Sequence, residues 1–218
     1  PNDLLPPAIS GIQDTENGTG DSLDTSKTAL LGRELYATVL SLKQGGASPQ
    51  AINERSENLV ETFTSGTRQE PAYSLEHLSV SGDHSDAALR AYGNAVAEVI
   101  IRYASQIRES EMEILARAME SGDKKEIEKL AQFVGIYGSA SRDVVSVTTP
   151  SRIAEAHLLL ANGYAGMAQA LVYMGQTLDD PVVGLAGLAH SQYYGDMIEN
   201  PTRELQPFFM TERVVFGA

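Results

Sequence analysis

Four histidines, His77, His84, His157 and His190, and a late set of tyrosines, Tyr164, Tyr173, Tyr193 and Tyr194, are the side chains best able to do chemistry in this chain. Imidazole titrates near neutrality and ligates metals through either ring nitrogen. Di-iron carboxylate bundles repeat Glu-x-x-His on two helices. The nearest pairs here, Glu76-His77 and Glu155-x-His157, point to different faces, and there is no His-Glu-x-x-His. His157 and His190 fall on successive predicted helices, with Asp196 and Glu199 beyond His190. Two histidines and a carboxylate can hold a metal, but two buried, hydrogen-bonded histidines need none. No metal site and no cofactor is therefore predicted. Nucleophilic catalysis of the Gly-x-Ser-x-Gly type and a phosphate loop of the Gly-x4-Gly-Lys-Ser/Thr type both lack their motif. No catalytic residue emerges, and the chain reads as non-enzymatic. Tyrosine joins an apolar body to a polar tip and suits pockets and interfaces. The candidate ligand pocket is accordingly His157, Tyr164, His190, Tyr193 and Tyr194.

Composition narrows the partners. The 218 residues carry a formal net charge of −13 and no cysteine. Nucleic-acid binding needs clustered Lys and Arg to neutralise phosphate, and an anionic membrane surface makes the same demand. Both are excluded as expected partners, which leaves a protein partner or self-association. Without cysteine there is no disulfide scaffold, thiolate zinc site or cysteine nucleophile.

The elements that must position these residues read as helices. Residues 1–23 form an acidic tail or linker, with Pro1, Pro6 and Pro7 and no Lys or Arg. Residues 24–218 form a single all-helical domain. Asp24 or Ser26 caps a first helix that ends at Gly45-Gly46, and Ser48-Pro49 starts a second that ends at Gly66. A helix of roughly 54 Å is expected from Ser85 to Ser121. Gly122-Asp123 stops it and starts the next, which is carried through Asp143–Thr148. Thr149-Pro150, Asp180-Pro181 and Asn200-Pro201 repeat the cap-plus-proline start. Inside the first long helix Glu98 and Arg102 stand four apart, at ion-pair spacing.

The stretch from Leu158 to Leu178 has no charged residue, yet Asn162, Gln169 and Gln176 interrupt it. It reads as the central helix of a bundle, and no membrane-spanning segment is predicted. Gly163 and Gly166, with Gly184 and Gly187 opposite, are expected to let two helix backbones approach. The expected fold is an all-α, antiparallel up-and-down bundle of four long helices preceded by a shorter helical hairpin. The expected function is a helical interaction or scaffold domain. The alternative is a sensor-like bundle holding a small ligand between its C-terminal helices. Freedom from cysteine suits an extracytoplasmic setting, with a tether beyond the N-terminus; the other expected setting is the cytoplasm.

Overall fold

The structure, a computed structural model, describes residues 26–66 and 68–211, with side chains at all of these but 65 and 202–211. The acidic tail and the last seven residues of the expected domain lie outside that range. The described chain is all-α. Its elements run α1 (Lys27–Gln44), α2 (Pro49–Ser65), a 3-10 turn (Leu75–His77), β1 (Val80–Ser81), α3 (Asp86–Ala104), α4 (Glu111–Ser121), α5 (Lys124–Ile127), α6 (Leu130–Val145), β2 (Thr149–Pro150), a second 3-10 turn (Ser151–Ile153), α7 (Ala154–Met174) and α8 (Pro181–Thr211).

Capping chemistry sets most boundaries. Ser26 and Ser48 accept the backbone N–H of Ala29 and Ala51, and Pro49 opens α2. Gly122 closes α4 at φ 67°, in the left-handed region that glycine tolerates, and Asp123 caps α5.

The expected rod from Ser85 to Ser121 is two helices. Ser110 and Glu113 form a capping box: the Ser110 side chain accepts Glu113 N at 3.1 Å, and Glu113 accepts Ser110 N at 3.3 Å. Satisfying these orphan donors starts a new helix where the spacing of apolar residues suggested continuation. Arg117 then ties the turn region together, reaching Glu109 at 2.7 Å and Glu126 at 2.6 Å.

Three further expectations are corrected. The helix through Asp143–Thr148 ends at Val145. Thr149-Pro150 starts no helix; Thr149 N donates to Ser79 O at 2.8 Å, and the pair lies parallel to Val80-Ser81. Thr149 is fully buried, so its N–H takes a strand partner. Asn200-Pro201 lies within α8 and does not start a new turn. An interior proline gives up one helical hydrogen bond at about 3 kcal/mol. Pro201 is fully buried, and that burial works against the cost.

The core is an antiparallel meander of α6, α7 and α8. Along α6 and α7, Tyr137 meets Tyr164, Ser141 Oγ donates to Ala161 O at 3.0 Å, and the Val144 backbone lies by His157. Along α7 and α8, Gly163 meets Ile198, Gly166 meets Tyr194, and Gly187 meets Ala170 and Met174. α3 and α4 pack on α6, and the α1–α2 hairpin packs on α8. One layer gathers Leu89, Tyr92, Val96, Val144 and Leu160; the other gathers Ile114, Leu130, Phe133, Leu171 and Met174. Thus the meander has helices packed on both flanks.

Candidate functional site

The five residues of the predicted pocket separate into three places. His157 sits near the start of α7, fully buried, with Nδ1 3.1 Å from the Tyr92 hydroxyl. Its Nε2 has no hydrogen-bond partner. Burial holds its pKa down at about 4, with the Val144 backbone pulling weakly the other way. Burial likewise pushes the Tyr92 phenol well above its usual range. Among the described residues, no group of three or more His, Cys, Asp or Glu is arranged to hold a metal ion.

His190 lies elsewhere. Antiparallel register places it beside the second half of α7, about 20 Å along the helix from His157 at 1.5 Å per residue. The two histidines therefore do not meet, which corrects the expectation of a shared pocket. His190 is buried against Tyr173 and Tyr194, and its Nε2 donates to Thr64 O at 2.9 Å. Burial first, then the Arg68 charge, lowers its pKa, while the Thr64 hydrogen bond opposes them. Arg68 stacks on the Tyr193 ring, 3.9 Å above its centroid.

Tyr193, Tyr194, Gly166, Gln169, Arg68 and Glu70 line a cleft of about 320 Å³ between α7, α8 and residues 68–72. Asn162 fastens that segment. Its Oδ1 accepts Tyr73 N at 2.9 Å and its Nδ2 donates to Tyr73 O at 3.0 Å. In the sequence Asn162 counted only against membrane insertion. Its signal was a lone amide in an uncharged helix, which needs a buried backbone partner.

The four glycines line the seam between α7 and α8. A Cβ at Gly163 would come 2.9 Å from Ile198 Cγ1, and one at Gly187 would come 2.7 Å from Ala170 O. At Gly166 it would meet the Tyr194 ring, and at Gly184 it would meet Thr177. Gly163 and Gly166 therefore face Ile198 and Tyr194, not the second glycine pair, which packs nearer the α7–α8 turn.

Tyr164 belongs to a third place, and here sequence reasoning missed a surface feature. An apolar groove runs beside α8, floored by α6 and α7 and walled opposite by α4 and the end of α3. One half, of about 570 Å³, is lined by Met112, Met167, Leu171, Met174, Leu185 and Leu188 among others. The other half, of about 270 Å³, is lined by Ile100, Tyr103, Ile107, Ile136, Tyr164 and Ile198 among others. Tyr137 and Met167 line both, so the two hollows adjoin along α8. From Leu185 to Glu199 it follows α8 for about 20 Å. Met112 and Leu185 are 48% and 45% exposed at its lips. These residues could not be grouped from sequence, because the groove exists only once the expected rod breaks at Ser105–Ser110.

The Glu98–Arg102 pair is exposed, at 2.7 Å, with Asp143 as a further partner of Arg102 at 3.1 Å. It is a solvated brace between α3 and α6. Among the described residues, no helix is long and apolar enough to cross a membrane. No protein-family model matches the chain, and no curated protein or solved structure matches it.

Proposed function

We propose that this chain is a non-enzymatic interaction domain whose groove beside α8 receives one amphipathic helix of a protein partner. The observation that carries the reading is the pair of adjoining apolar hollows along α8, with Met112 and Leu185 exposed at the lips. Its length corresponds to about four helical turns. A helix laid there would bury an apolar stripe against Met112, Met167 and Leu188, the mode in which grooves read i, i+3, i+4 and i+7 anchors. Methionine is unbranched and adapts to varied side chains. A second copy of the chain is a poorer occupant, since it would bring together two surfaces of the same strong negative charge. The absence of cysteine supports an extracytoplasmic setting, which fractionation of cells making the full-length protein would test.

Fluorescence anisotropy with an uncharged amphipathic helical peptide, Leu on one face and Gln on the other, tests the docking surface. Saturable binding is expected, with at least about a tenfold loss in Met112→Gln/Leu185→Gln. Both positions are exposed, so the variant should keep its helical circular dichroism. Equal binding by variant and parent would overturn the reading. So would a dimer in sedimentation that the variant dissociates, since the occupant would then be a second copy.

The cleft at Arg68 favours a second reading, a small ligand held between α7 and α8. Its volume reaches the lower end of small-molecule sites. Its amide Asn162 is already committed to Tyr73, and its Arg68 to Tyr193, which weakens the reading.

A further inference from the structure

The groove has a charge as well as a shape. Among the residues with described side chains, its lining contains Glu111 and Glu199 and no Lys or Arg. Glu111 stands at one lip and accepts the Tyr137 hydroxyl at 2.7 Å. Glu199 stands at the far end of the groove, with exposed Asp196 one turn before it. α7 and residues 181–200 of α8, which supply floor and wall, carry Glu155, Asp196 and Glu199 and no Lys or Arg. On the opposite wall the bases face other carboxylates: Arg102 pairs with Glu98 and Asp143, and Arg117 pairs with Glu109 and Glu126. Arg108 is exposed on the turn between α3 and α4, outside the lining.

We infer that the groove selects a basic amphipathic helix, one whose apolar stripe is flanked by Lys or Arg. This rests on the docking reading above and adds the partner's chemistry to it. Apolar contact with the methionine and leucine lining would supply the affinity. Glu111 at one lip and Asp196 near the far end would meet the flanking cations, setting register and rejecting acidic helices. The net charge of −13 would raise the encounter rate of such a helix in the same direction. That field repels phosphate-rich surfaces, so a lipid headgroup layer is a poor competitor for the groove.

Two further peptides of about 18 residues test the inference, sharing one leucine stripe and carrying Lys or Glu on the polar face. Each is titrated against the full chain by anisotropy at low salt and at about 0.5 M salt. The Lys peptide should bind at least about tenfold tighter than the Glu peptide at low salt. Glu111→Gln/Asp196→Asn should narrow that ratio to about threefold or less. Met112→Gln/Leu185→Gln should weaken both peptides. Equal binding of the two peptides, lost in the Met112→Gln/Leu185→Gln chain, would overturn the charge selectivity and leave the docking surface standing. Lys-peptide binding that survives that variant would overturn it too, by showing attraction to acidic surface elsewhere. Failure of every peptide, the uncharged one included, would remove the docking surface itself.

Discussion

His157 and Gly187 carry residue-scale consequences that can be measured. The buried His157 ring has a pKa near 4, against 6.5 as the ordinary value. Between those limits the unfolded chain binds a proton that the folded chain refuses. The stability from keeping the ring neutral is therefore complete above about pH 6.5 and is lost as pH falls toward 4, about 3 kcal/mol in all. His190, also lowered, adds in the same direction. Urea melts at about pH 7 and about pH 4.5 should show His157→Gln losing less stability between them than the parent. An equal loss in both would mean that His157 charges freely in the folded state.

Glycine substitutions should change sign with location. Gly187→Ala would drive a methyl against α7 backbone, which cannot rotate aside, and should cost about 1–3 kcal/mol. Gly135, inside α6, has nothing within 4 Å of the place an alanine methyl would take. There Gly→Ala should stabilise by about 0.4–1 kcal/mol, through the entropy of the unfolded chain. Denaturant midpoints of the two variants should move in opposite directions. A stabilising Gly187→Ala would contradict the close approach of α7 and α8.

At the scale of elements, Asp180 joins the first and last parts of the described chain. It accepts Lys27 N at 2.9 Å and Thr28 N at 3.1 Å, along with the Thr28 hydroxyl and Val183 N. Burial alone would raise its pKa; these four donors outweigh that and hold it low. One carboxylate thus caps α8 and fastens the start of α1. Asp180→Ala should speed hydrogen exchange in α1 and α2 while leaving α6 and α7 protected. Uniform acceleration along the chain would instead make Asp180 a global determinant of stability.

Local signals were readable in the sequence wherever the competing structure was also local. Ser48-Pro49, Gly122-Asp123 and Asp180-Pro181 each satisfy backbone donors within a few residues, and helices begin or end there. Ser110-x-x-Glu113 was equally local, but the helical spacing of Tyr103, Ile107 and Ile114 hid it. Thr149-Pro150 and Asn200-Pro201 carry the same cap-plus-proline pattern and do something else. At Thr149 a partner from Ser79, seventy residues away, takes the N–H; at Pro201 burial prevails. Neither fact has a local signature. The candidate pocket dispersed for a related reason. His157 and His190 lie on neighbouring helices, but their depth along an antiparallel pair depends on the turn at 175–180, whose geometry the pattern of apolar residues leaves open.

At the scale of the whole molecule, the break between α3 and α4 gives the described chain its apolar groove. Had residues 85–121 been one rod, its second half would have run on past the core. The turn at 105–110 instead folds α4 back onto α6, with Ile114 and Leu115 buried, and leaves the groove between α4 and α8. Five of the chain's six methionines have described side chains, and they sort by place: Met112, Met167 and Met174 line the groove, whereas Met197 lines the Arg68 cleft and Met119 lies exposed on α4. Methionine-methyl NMR of the full chain, titrated with the uncharged amphipathic peptide, therefore reads the site directly. The account predicts saturable shifts at Met112, Met167 and Met174, with Met119 and Met197 unmoved. Shifts confined to Met197, or no saturable shift at the three groove methyls, would contradict it.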